Sequence, residues 1–111
     1  MTHVTVIAIY QPKKGKDEEL RDLIARHVPT LRRLGFATDR QTTLAYSEAS
    51  RAYIEVFEWV SPELSKEAHG HPEVQAIWGP MAEVANFLPL AELQESTHMF
   101  AHFAPVRVLV C

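Results

Sequence analysis

The chain has a single cysteine, and it is the last of 111 residues, Cys111. No intramolecular disulfide can form, and a terminal thiol with no neighbouring base is a poor nucleophile. Glycine is scarce too: Gly15, Gly35, Gly70 and Gly79 are the four present, all in turn-like surroundings. None belongs to a phosphate-cradling loop, and there is no Gly-x-Ser-x-Gly nucleophile elbow. No apolar run approaches the roughly 18 residues that span a bilayer, and residues 1–20 lack the layout of a secretion signal. The expectation is a cytoplasmic protein with no membrane partner. Charge of neither sign dominates, since 11 basic and 14 acidic side chains leave a formal net charge of -3, and nucleic acid is not an expected partner. Repeats, low-complexity tracts and linkers are missing as well, which leaves one domain over 1–111 with 105–111 as a C-terminal extension.

At 47% hydrophobic and 23% charged, the composition is that of a soluble globular domain, long enough to bury a core. Residues 52–60 are rich in β-branched and aromatic types and read as a strand. Alternation sends Tyr53, Glu55, Phe57 and Trp59 to one face and Ile54, Val56, Glu58 and Val60 to the other. Ser61-Pro62-Glu63 then starts a helix: a serine cap, a proline at the first helical position, and an acid at the positive end of the helix. Residues 3–10 form an earlier strand, again apolar on both alternating faces. From Asp17 the spacing of Leu20, Leu23, Ile24, His27, Val28, Leu31 and Leu34 predicts an amphipathic helix, with Pro29 expected to bend it and Gly35 to end it.

Residues 42–47 read as a strand joined by Glu48-Ala49-Ser50 to the one opening at Arg51, which predicts an antiparallel hairpin. A second helical region is expected from Pro62 to about Ala85, interrupted at Gly70-His71-Pro72 and again at Gly79-Pro80. Its apolar stripe continues to Leu88, before Pro89. Residues 97–104 are expected to form a fourth strand, and 106–110 a short fifth. The order strand, helix, strand, strand, helix, strand is the ferredoxin-like plan: an α+β fold with a four-stranded antiparallel sheet and two helices on one face. Two helices cover one sheet face only, yet the first and third strands are apolar on both. A second copy packing against the open face is the economical expectation, giving a homodimer; a mixed, partly wet face is the alternative.

The stretch Phe57-Glu58-Trp59-Val60-Ser61-Pro62-Glu63, followed by His69-Gly70-His71-Pro72 and Trp78, resembles the dimeric α/β-barrel superfamily, particularly its antibiotic-biosynthesis-monooxygenase-like (ABM) branch. In that branch a strand-ending tryptophan leads into a helix, and a histidine follows near the helix's far end. The resemblance implies a homodimer with a pocket between sheet and helices, and activities that include cofactor-free oxygenation of aromatic molecules and haem degradation. Haem turnover in the superfamily also looks for an asparagine on the first strand. The one asparagine here is Asn86, late in the chain, so haem binding without turnover is what would remain of that reading, with a histidine as axial ligand.

The resulting expectation is a small apolar or aromatic ligand and no cofactor. His71 and His69 are the candidate acid/base groups, and Trp59, Trp78, Tyr46, Tyr53 and His27 the candidate pocket residues. Each has a plainer reading: aromatics on a strand or a helical stripe are usually core, His69 and His71 suit helix ends, and His27 suits a core edge with a carbonyl partner. A non-catalytic ligand-binding or structural dimer is therefore the competing function. Glu55 and Glu58 fall on opposite strand faces and are no catalytic pair; an arginine such as Arg40, Arg51 or Arg107 is the ordinary partner for either. No metal is expected, because six histidines show no ligand spacing. His98 and His102, on one face of the expected fourth strand, would lie about 13 Å apart.

Overall fold

A computed structural model of the chain describes residues 2–107. Strand β1 (Val4–Pro12) is followed by helix α1 (Asp17–Arg33), the hairpin of β2 (Thr43–Ser47) and β3 (Ala52–Trp59), helices α2 (Pro62–Ala68) and α3 (Pro72–Val84), strand β4 (Ala85–Phe87) and a two-residue strand β5 (Ala104–Pro105). The fold is α+β, with three helices and one antiparallel sheet in the order β4-β1-β3-β2-β5. None of the three helices is long and apolar enough to cross a membrane.

β3 lies between β1 and β2, so both its edges are hydrogen-bonded, and apolar side chains of other elements pack on both its faces. Val6 pairs with Phe57, Ala8 with Glu55 and Tyr10 with Tyr53. On that face Tyr10, Tyr53, Phe57 and Trp59 meet Leu20, Ile24, Val28 and Leu31 of α1 and Val74, Ile77 and Met81 of α3. α1 starts on three acids and ends on two arginines, both favourable to the helix dipole. The Ser61 hydroxyl accepts the Leu64 backbone N–H at 3.2 Å, capping α2 with Pro62 in the first turn.

Four expectations change. Residues 62–84 form two helices, with the break at His69–His71, but α3 runs through Gly79-Pro80; α1 keeps Pro29 inside it, as the sequence pattern had it. A proline removes one backbone bond; the packing of the apolar stripes on either side outweighs it. The stripe does not continue as helix to Leu88, because Ala85–Phe87 leave α3 and pair with Pro12, Gln11 and Tyr10 as β4. The fourth strand is therefore this three-residue segment and not 97–104. There the chain makes short 3-10 turns at Leu90–Glu92 and Gln94–Thr97 and irregular backbone after them, with Met99 91% and Phe100 84% exposed. His98 and His102 consequently share no strand. Among the described residues the sheet has five strands, not four, because Ala104–Pro105 pairs with β2 at Tyr46 and Ala45. Most of the short strand expected at 106–110 lies outside the described residues.

The opposite sheet face is not wholly open. Leu88, Leu93 and Phe103 fold back over Ile9, Ala52, Ile54, Ala45 and Val56, so the segment after β4 covers the middle of that face within one chain. Ile7 remains 47% exposed beside it.

Candidate functional site

Glu55 stands in the middle of the central strand, on the helix side, and is 1% exposed. A carboxylate at that depth needs donors. The Tyr10 hydroxyl, from the neighbouring strand, donates to its Oε1 at 2.8 Å, and the His27 Nδ1 lies 2.8 Å from the same oxygen. The other ring nitrogen of His27, Nε2, is 2.8 Å from the indole Nε1 of Trp78. An indole N–H only donates, so Nε2 is the acceptor and the proton of a neutral imidazole sits on Nδ1, pointing at Glu55. Trp78 to His27 to Glu55 is thus one directed chain of hydrogen bonds, drawn from α3, α1 and β3. It fixes the tautomer of His27 and the plane of Trp78. Burial, and then the adjacent Glu55 charge, push the Tyr10 hydroxyl well above the usual tyrosine range, which keeps it a donor.

Trp78 is half-buried because its other side forms the wall of a cleft of about 480 Å³. Val6 and Ala8 of β1, Phe57 and Trp59 of β3, and Trp78 and Met81 of α3 line it, together with His27, His69 and Phe87. β4 pairs with β1 only from Tyr10 onward, leaving the edge of residues 4–9 without a strand on that side; the cleft opens along this edge. The two indoles meet edge to face at 6.4 Å, and the imidazole of His69 lies 4.8 Å from the Trp78 ring. Among the described residues no Lys, Arg, Asp or Glu lines the cleft. The described lining is apolar and aromatic, with imidazoles as its polar side chains beside the Tyr10 hydroxyl and the indole N–H groups.

Among the described residues His69 is the lining imidazole with a nitrogen to spare, and the Trp59 indole N–H likewise has no partner in the chain. Its Nδ1 is 3.0 Å from the Ser65 carbonyl, an oxygen that only accepts, so Nδ1 carries the proton and Nε2 keeps its lone pair. Among the described residues nothing in the chain bonds that Nε2. His71, only two residues on, is elsewhere: its Nδ1 accepts the Glu73 N–H at 3.2 Å as the cap of α3, and its ring packs on Phe36. Tyr53 and Tyr46 lie against each other at 5.0 Å, and neither lines the cleft. The Tyr53 hydroxyl donates to Asp17 at 2.7 Å; burial and that carboxylate push its pKa up to about 12.

Of the seven residues picked from the sequence, Trp59, Trp78, His69 and His27 come together at the cleft, whereas His71, Tyr46 and Tyr53 lie away from it. Glu55 and Tyr10 anchor the site although the sequence singled out neither as a site residue. The signal available for Glu55 was an acid on an otherwise apolar alternating face. Its partners are His27 and Tyr10, not an arginine; Glu58 is the acid paired with Arg40, at 2.9 Å. Among the described residues no group of three metal-ligating side chains comes together.

These features define an α+β protein with an antiparallel sheet, helices on one face, and an apolar aromatic-walled cleft at the sheet edge. No protein-family model matches the sequence, and no curated protein shows significant similarity to it. Among solved structures, Rv0793 from Mycobacterium tuberculosis is similar in fold, with a TM-score of 0.61 at 19% identity over 79% of this chain and 94% of that one.

Proposed function

We propose that this protein is a homodimer of the ferredoxin-like, dimeric α/β-barrel type, ABM-like in plan, that binds a neutral aromatic molecule in the cleft between β1 and α3. The observation that carries this reading is the lining itself: two indoles, Phe57 and aliphatic side chains around one unpartnered imidazole nitrogen, with no charged group. Ligand sites of this kind are mostly apolar, with a few placed polar groups that orient the occupant. The strand order β4-β1-β3-β2 and the likeness to Rv0793 support the fold assignment. The half-exposed Ile7, next to a face only partly covered by Leu88, Leu93 and Phe103, supports a second copy packing there.

The arrangement suits one reaction. His69 Nε2 takes the proton of a bound phenol, and the electron-rich anion reacts with dioxygen. One oxygen atom enters the ring and the other leaves as water, so that a phenol and dioxygen give a quinone and water with all four electrons drawn from the substrate. The indole walls exclude water from the anion. Simple binding without turnover is the competing reading. Haem fits less well. His69 offers an axial nitrogen, but haem carries two carboxylates and no Lys or Arg lines the cleft, while β1 presents Val6, Ile7, Ala8 and Ile9 there in place of an amide.

Titration with 1-naphthol, followed by tryptophan fluorescence and by oxygen uptake, tests both levels. Saturable quenching that is lost in Ala8→Trp, which fills the cleft, is expected. Oxygen uptake that falls in His69→Ala while quenching persists would identify the base; quenching with no uptake in either protein would leave a binding protein. Absence of saturable quenching in the wild type would overturn the assignment.

A further inference from the structure

We propose that a second cleft, between α1 and β2, is a binding site for a small primary ammonium carried on an aliphatic body, with Glu55 as the anionic floor. This cleft has a volume of about 250 Å³; Ile24, Val28 and Pro29 of α1, Leu44 of β2 and Val106 wall it, and Glu55 lines it from below. It shares no lining residue with the indole-walled cleft. The two lie on either side of the relay that runs from Trp78 through His27 to Glu55.

The relay creates the need for an occupant. Both donors to Glu55 act on one oxygen, Oε1; among the described residues the second oxygen, Oε2, has no partner, and it is not a sealed-off atom. The Trp78 N–H occupies His27 Nε2, so the Tyr10 hydroxyl and the His27 Nδ1 are the two groups that reach Glu55. A carboxyl group 1% exposed therefore has both its donors on one oxygen and none on the other, at the floor of a cleft whose described lining also includes Arg32, Gln41 and Thr42. Buried charges in folded proteins are ordinarily paired. The Lys or Arg in the described lining is Arg32, and its hydrogen bonds go to other groups than Glu55: its Nε donates to the Thr38 carbonyl at 2.8 Å, and its Nη2 to the Arg40 carbonyl and the Thr42 hydroxyl.

An ammonium head supplies what the floor lacks, a charge-assisted hydrogen bond to Oε2, while Ile24, Val28 and Leu44 receive a short aliphatic body. A neutral alcohol of the same shape supplies the bond without the charge, and a carboxylate meets like charge. Water alone is the bland occupant, since the cleft is large enough to hold it.

Amide chemical shifts of the full-length labelled chain, titrated separately with isopentylammonium, isopentanol and isovalerate, test the proposal. Isopentylammonium is expected to move the amides of Ala25, Val28 and Leu44 saturably, with isopentanol weaker by about tenfold or more and isovalerate without effect. Glu55→Gln, which keeps the acceptor and removes the charge, should bring ammonium binding down to the level of the alcohol. Ala25→Phe should fill the cleft and abolish binding while Trp78 fluorescence is unchanged; if that variant does not fold, Glu55→Gln decides. No saturable shifts, equal affinity for ammonium and alcohol, or shifts confined to Trp59, His69 and Trp78 would each overturn it.

Discussion

His27→Leu removes both bonds of the relay in one substitution without opening a large cavity. Glu55 loses a donor to a buried carboxylate, a hydrogen bond of the charged kind worth about 1.5–3 kcal/mol, and Trp78 keeps an indole N–H with no partner, which adds about 1 kcal/mol at a half-buried position. The expected loss is about 2.5–4 kcal/mol, overlapping the about 3–5 kcal/mol found when one partner of a buried pair is deleted. Against a typical domain stability of about 5–15 kcal/mol that is a large share. Equilibrium urea unfolding at neutral pH and fixed protein concentration measures it through the midpoint at constant slope. The double variant His27→Leu/Glu55→Gln supplies the sharper arm: with the charge gone, nothing buried demands the missing donor, so the double variant should be more stable than His27→Leu alone by about 1 kcal/mol or more. A loss below about 1 kcal/mol in the single variant, or simple additivity in the cycle, would refute the relay as an energetic unit.

The remaining expectations are smaller. Ile7→Lys, on the half-exposed part of the sheet face that Leu88, Leu93 and Phe103 leave open, should convert the proposed dimer to a monomer in sedimentation while leaving the circular dichroism spectrum unchanged; a variant that still sediments as a dimer would place the interface elsewhere. Ser61→Ala deletes the cap of α2 and should cost about 1 kcal/mol by thermal or urea unfolding. Tyr53, whose pKa is pushed up to about 12 from 10.0, stabilises the fold through its protonated hydroxyl. The folded state holds that proton more tightly than the unfolded chain, so this contribution is complete below pH 10 and is lost as pH rises toward 12. Absorbance titration should show one late-ionising tyrosine that Tyr53→Phe abolishes and that Asp17→Asn shifts downward; an unchanged curve in Asp17→Asn would remove the carboxylate as a cause.

Where a segment's conformation is decided by its own neighbours, the residues announced it. The alternation of 52–59, the Ser61-Pro62-Glu63 start, the acids of the first turn of α1 and the short link of the β2–β3 hairpin are all local devices, and each has its counterpart in the folded chain. Local pattern also placed two indoles and a histidine near one another, since Trp59 ends a strand and the helices that follow must return across it. Other features had no local cause. Ala85–Phe87 is a strand only because β1 offers it an edge, and three residues carry no periodicity of their own; residues 98–103 form no strand, and only Ala104 of the expected segment reaches an edge, that of β2. His69 and His71 are chemically equal in the sequence, and the turn between α2 and α3 alone aims one at the cleft and spends the other as a cap. Glu55, His27 and Trp78 are 28 and 51 residues apart along the chain in their successive pairs, and they meet because α1 and α3 dock on the same face of β3. Propensity travels a few residues along the backbone; a shared proton, a buried charge and the cleft beside them exist only after the layers have packed.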